Sequence, residues 1–67
     1  MSAFVDVSAY TIAPGDVILL PGHGRSCTVV LTERNDEVEG NVLIHHDGGG
    51  TYECALTDTV PLRIPGT

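Results

Sequence analysis

The chain has 67 residues, 42% of them hydrophobic, with nine acidic and three basic side chains and a formal net charge of −6. A chain this short folds around one core or none, which excludes a multidomain enzyme. The charge also speaks against binding a nucleic-acid backbone, because Arg25, Arg34 and Arg63 are the only strong cations and are scattered along the sequence.

No segment supplies ten residues with apolar positions three and four apart without an interrupting Gly, Pro or β-branched run, so the expected class is all-β. Residues 1–13 carry Phe4, Val5, Val7, Tyr10 and Ile12, too apolar for a loose tail. They are expected to form an N-terminal strand, at Ala3 to Val7, or a segment covering the rest. Pro14-Gly15 then opens a strand from Asp16 to Leu20, and Pro21-Gly22-His23-Gly24 is a tight loop. A longer strand runs from Ser26 to Glu33 and ends at a polar hairpin tip, Asn35-Asp36-Glu37. Asn41 to His46 and Thr51 to Leu56 flank the hairpin Asp47-Gly48-Gly49-Gly50, and Thr57-Asp58-Thr59 offers one 3₁₀ turn before a last strand, Thr59 to Ile64.

Alternation assigns the faces. Val60, Leu62 and Ile64 point inward in the last strand, and Tyr52, Cys54 and Leu56 in the one before it. The same rule places Ile18, Leu20, Val29, Leu31, Val42 and Ile44 in the core. Val17 to Leu20 and Val29 to Leu31 are apolar on both faces, as strands covered on two sides are. The outward set Val17, Leu19, Val30 and Leu43 is therefore expected either to be an interface or to lie under residues 1–12.

The candidates for chemistry are few. His23, Cys27, His45, His46 and Cys54 are zinc-type ligands, yet no Cys-x₂₋₄-Cys pair occurs, and the adjacent His45 and His46 must leave a strand on opposite faces. No metal site and no cofactor are expected. Asp47-Gly48-Gly49-Gly50 lacks the following helix of a phosphate-cradling loop, and Ser26 with His23 and Asp16 makes no triad, so no catalytic residue is assigned. Residues 1–15 lack a basic start and apolar stretch, and no apolar run approaches the length of a membrane span. The protein is accordingly expected in the cytoplasm, with Cys27 and Cys54 as reduced structural thiols. The complete lack of lysine points to a high-GC genome of an actinobacterium or its phage.

From Pro14 to about residue 65, Gly15-Asp16-Val17-Ile18-Leu19-Leu20 followed by a Gly-rich loop, a long strand, two hairpins and a short turn resembles the SH3-like small barrels. Its start resembles the opening of KOW-type barrels, with Ile18 and Leu20 at the two inward positions. KOW domains present basic RNA-facing loops, whereas the corresponding loop here offers only His23 and Arg25. With just Phe4, Tyr10 and Tyr52 as aromatics, the chain also lacks the aromatic row on which signalling SH3 domains seat proline-rich ligands. A second resemblance, over Gly15 to Thr32, is to the MazF/PemK endoribonuclease toxins, and it implies a cleavage-assisting role for Arg25. The reading reached from the sequence is one SH3-like antiparallel barrel of five or six short strands spanning residues 1–67. It is expected to be a non-enzymatic interaction or accessory module, binding an unidentified protein or itself and neither nucleic acid nor membrane. The alternatives are a reduced MazF/PemK-like endoribonuclease, or an acidic nucleic-acid mimic built on Glu33, Asp36, Glu37 and Glu39.

Overall fold

A computed structural model describes residues 3–20, 22 and 24–64. Six antiparallel strands, β1 (Ala3–Ser8), β2 (Val17–Leu19), β3 (Ser26–Arg34), β4 (Asn41–His46), β5 (Thr51–Ala55) and β6 (Thr59–Ile64), form one sheet in the order β1-β6-β2-β3-β4-β5. The all-β class is as expected. β2 to β5 make a meander, and β6 returns to pair with β2 through Ile18 and Leu62. This arrangement is consistent with an SH3-like barrel, although the sheet is not closed. No helix among the described residues is long and apolar enough to cross a membrane.

Local chemistry explains where the strands begin and end. Before β2, Asp16 closes the Pro14-Gly15 turn: its backbone N–H donates to the Ala13 carbonyl at 3.1 Å, and its Oδ2 accepts from the Ala13 N–H at 2.9 Å. Gly15 holds φ at 95°, a left-handed value that costs a side-chain-bearing residue free energy. Between β5 and β6 the expected 3₁₀ turn is a single hydrogen-bonded turn, with Asp58 N–H donating to the Ala55 carbonyl at 2.9 Å. Two 3₁₀ turns stand elsewhere, at Ala9–Thr11 and Asp47–Gly49. Pro21 and His23 of the Gly-rich loop lie outside the described residues.

Residues 3–12 enter the sheet and the core. β1 pairs along the whole of β6, from Ala3 opposite Ile64 to Ser8 opposite Thr59. The 3₁₀ turn that follows buries Ala9 and, just past its end, Ile12. Of the two roles expected for this segment it takes that of a strand, lying beside β6 in the sheet. Ile18, Val29, Val42, Ile44, Cys54 and Val60 complete the core, with Leu20, Tyr52, Leu56 and Leu62 packed partly buried against it. Each was assigned inward by alternation.

Two inward assignments are corrected. Leu31 is 50% exposed and Ile64 43% exposed. The cause at Leu31 is a β-bulge: Val29 faces His46 and Leu31 faces His45, so adjacent β4 residues oppose β3 residues two apart, and Val30 is extra. Beyond the bulge the side chains change faces. Thr32, opposite the fully buried Ile44, takes the place that strict alternation gives to Leu31. Ile64 ends β6 opposite Ala3, whose methyl group offers little to cover it.

The bulge makes a direct prediction. Ile44→Ala should lower unfolding free energy by about 2–5 kcal/mol, while Leu31→Ala should change it by no more than about 0.5 kcal/mol. Urea titrations of both variants measure this. Similar losses at the two positions would mean that β3 pairs without a bulge.

Candidate functional site

An open pocket of about 610 Å³ lies between the start of β3 and the β4–β5 hairpin, lined among others by Arg25, Cys27, His46, Asp47, Thr51 and Tyr52. Register creates it. Cys27 lies two residues before Val29, and Val29 is paired with His46, so the beginning of β3 runs past the end of β4. The Thr28 N–H then donates to Asp47 Oδ1 at 3.1 Å, tying the Asp47–Gly49 turn to β3. His46 closes the hairpin, its N–H donating to the Gly50 carbonyl at 3.0 Å.

The His46 ring is held in one tautomer. Its Nδ1 lies 2.9 Å from the Asp47 backbone carbonyl, which only accepts, so Nδ1 carries a proton and Nε2 is the nitrogen left to offer a lone pair. The ring rests against the bare α-carbon of Gly50. Gly50 has ordinary extended dihedrals, φ −92° and ψ 162°, so conformation does not demand a glycine there. Space does: a β-carbon at this position would overlap the ring.

Burial pushes the Cys27 thiol above its ordinary range, and the Asp47 carboxylate adds to the effect. A protonated thiol is a weak nucleophile. Nor do Cys27, His46 and Asp47 form a nucleophile–base–acid relay, since the second ring nitrogen of His46 is bonded to the backbone of Asp47 and not to its carboxylate. Tyr52 is raised as well, by burial first and then by Cys54 and Asp58.

The structure separates the other candidates. His45 is engaged at both ring nitrogens, with Thr51 Oγ1 at 2.9 Å and Glu33 Oε1 at 2.7 Å. Cys54 is buried in the core, and His23 lies outside the described residues. Among the described residues of that set, only Cys27 and His46 come together, and the partner they meet is Asp47, which the sequence places in the hairpin. Within the acidic group, Glu33 is bound to His45 while Asp36, Glu37 and Glu39 stand exposed at the β3–β4 tip. Asn35 orders that tip by accepting from the Glu37 and Val38 N–H groups. Asn35 and Asn41 both donate to Glu53, holding its carboxyl below the ordinary carboxylate range.

The outward apolar set is divided. Val17 and Leu19 on β2 and Leu43 on β4 are half-buried, and Val30 is 59% exposed. The bulge brings Leu31 out beside Val30, diagonal to Leu43 across the β3–β4 pair. Leu31 is thus a surface residue that alternation hid. Compared with family models, curated proteins and solved structures, the chain matches none.

Titration of Cys54 generates a prediction. Burial raises this thiol, with Asp58 and Glu53 adding to the shift. The folded chain therefore keeps a proton that the unfolded chain releases, so stability is complete below the ordinary thiol range and falls as pH rises through it. Urea midpoints measured from about pH 8 to about pH 10 should decline in the parent and decline less in Cys54→Ala. Equal pH dependence in both would remove Cys54 as the cause.

Proposed function

We propose that this protein is a small non-enzymatic interaction module, working in the cytoplasm, whose docking face is the bulged outer side of β3. The observation carrying this reading is the bulge itself. The extra residue that bends β3 also turns Val30 and Leu31 outward together beside Leu43. Bulges re-aim side chains at functional surfaces, and adjacent exposed apolar side chains mark contact sites. Val17 and Leu19 extend the same side along β2. The occupant is a protein, either another chain or a second copy. The raised Cys27 thiol and the missing relay in the pocket favour binding over catalysis.

Sedimentation of the full-length protein, together with photo-crosslinking from position 31 in the producing cell, tests the proposal. Leu31→Asp should weaken a dimer, or the capture of a crosslinked protein, by at least about 30-fold, the effect of losing a contact worth about 2 kcal/mol. A monomer whose position 31 crosslinks to nothing beyond what a control at Glu39 captures would reject the docking face.

One observation favours a second reading. Arg25, the residue singled out by the resemblance to MazF/PemK toxins, lines the pocket with the hydroxyl residues Ser26 and Thr51. On this reading the guanidinium steadies the charge that develops on a phosphate during cleavage. Incubation with RNA distinguishes it: cleavage that slows by about 100-fold or more in Arg25→Ala would support it, and no cleavage by the parent would dismiss it.

A further inference from the structure

We propose that Cys27, His46 and Asp47 form a binding site for a zinc-class divalent cation, with a fourth coordination position open to the pocket. This departs from the expectation of no metal, and it is independent of the docking face on β3.

The ligand set comes first. One sulfur, one imidazole nitrogen and one carboxylate oxygen lie within 4.8 Å of one another. Ligands at zinc bond lengths of about 2.0–2.3 Å in tetrahedral array stand about 3.3–3.8 Å apart, so side-chain rotations of about an ångström close the site. The mixture of donors selects the ion. Calcium and magnesium take oxygen ligands, whereas thiolate with imidazole suits zinc and its neighbours. A thiolate and a carboxylate together carry the two negative charges that neutralise a dication.

The groups around the ligands are arranged as metal sites require. A ligating histidine donates its other ring N–H to a carbonyl or carboxylate, which fixes the ring and frees one lone pair. His46 does this through Nδ1 to the Asp47 carbonyl, leaving Nε2 to coordinate. Ligating carboxylates are themselves hydrogen-bonded, and Asp47 Oδ1 accepts from the Thr28 N–H. Gly50 leaves the volume that the imidazole occupies. Three ligands from two chain segments, with the remaining direction facing a pocket lined by Thr51 and Tyr52, match an open site rather than a closed structural one.

The experiment uses the full chain, reduced and freed of metal with a chelator. Cobalt(II), the spectroscopic stand-in for zinc, is titrated in. One equivalent should bind with a thiolate-to-cobalt charge-transfer band and the intense visible bands of tetrahedral cobalt, and zinc should displace it. Cys27→Ser should abolish the charge-transfer band. Asp47→Asn, His46→Ala and Gly50→Ala should each weaken binding by at least about 10-fold. His45→Ala should bind as the parent does. A measurement without substitutions accompanies these: zinc should slow alkylation of Cys27 at least about 10-fold while leaving Cys54 unchanged, the size of effect expected when a bound thiolate is withdrawn from reaction. The proposal is overturned if no equivalent binds, if the band survives Cys27→Ser, or if zinc fails to protect Cys27 in the parent.

Discussion

At Val30, β3 carries one residue more than β4 can match, and the two halves of the sheet take their orientation from that mismatch. Before the bulge, β3 pairs with β2, from Val17 opposite Thr28 to Leu19 opposite Ser26. At Val29 its backbone turns to the segment preceding β2, exchanging bonds of 2.8 Å with Gly15 and Asp16. After it, β3 belongs to β4. A bulge increases local twist and bends the strand, which allows one long strand to serve both halves around a core of small, mostly β-branched side chains. Val29, at the bend, is buried for this reason.

The same bend separates two surfaces with different chemistry. On the outer side it exposes the apolar Val30 and Leu31. On the other side, at the seam where the start of β3 meets the end of β4, it leaves an opening. Cys27, His46 and Asp47 gather there because a paired residue, Val29, lies beside them. The Thr28–Asp47 bond and the Gly50 clearance keep the hairpin seated against that seam. A core this small leaves little excess stability, so polar groups that orient a site also contribute to holding the fold together.

Strand existence was legible because β4, β5 and β6 up to Leu62 keep a two-residue period: Val42 and Ile44, Cys54, and Val60 all face the core as their positions dictate. β3 could not be read in the same way. Val29-Val30-Leu31 is apolar throughout, so its pattern contains no mark of where the period slips. Thr32 is polar enough to pass for an outward residue even though it faces Ile44. Ala9 and Ile12 were missed as core because a 3₁₀ turn buries residues without strand periodicity. The pocket residues were hidden for another reason. Cys27 and His46 are 19 positions apart, and only strand register, a long-range property, brings them together. The one local sign was the Gly run after His46-Asp47, whose last member is required by the ring it accommodates.

An open sheet with unlike ends limits how copies can assemble. β1 and β5 are its two edges, and because any junction uses one edge of each copy and leaves the other free, edge-to-edge pairing of either kind can continue beyond two. Asp6 on one edge and Glu53 on the other are both exposed, so every such junction brings carboxylates together. That protection is electrostatic, and at the β5 edge it persists into acid, because the amides of Asn41 and Asn35 hold the Glu53 carboxyl below the ordinary carboxylate range. The two asparagine amides that hold Glu53 therefore also guard the β5 edge of the open sheet against end-to-end growth.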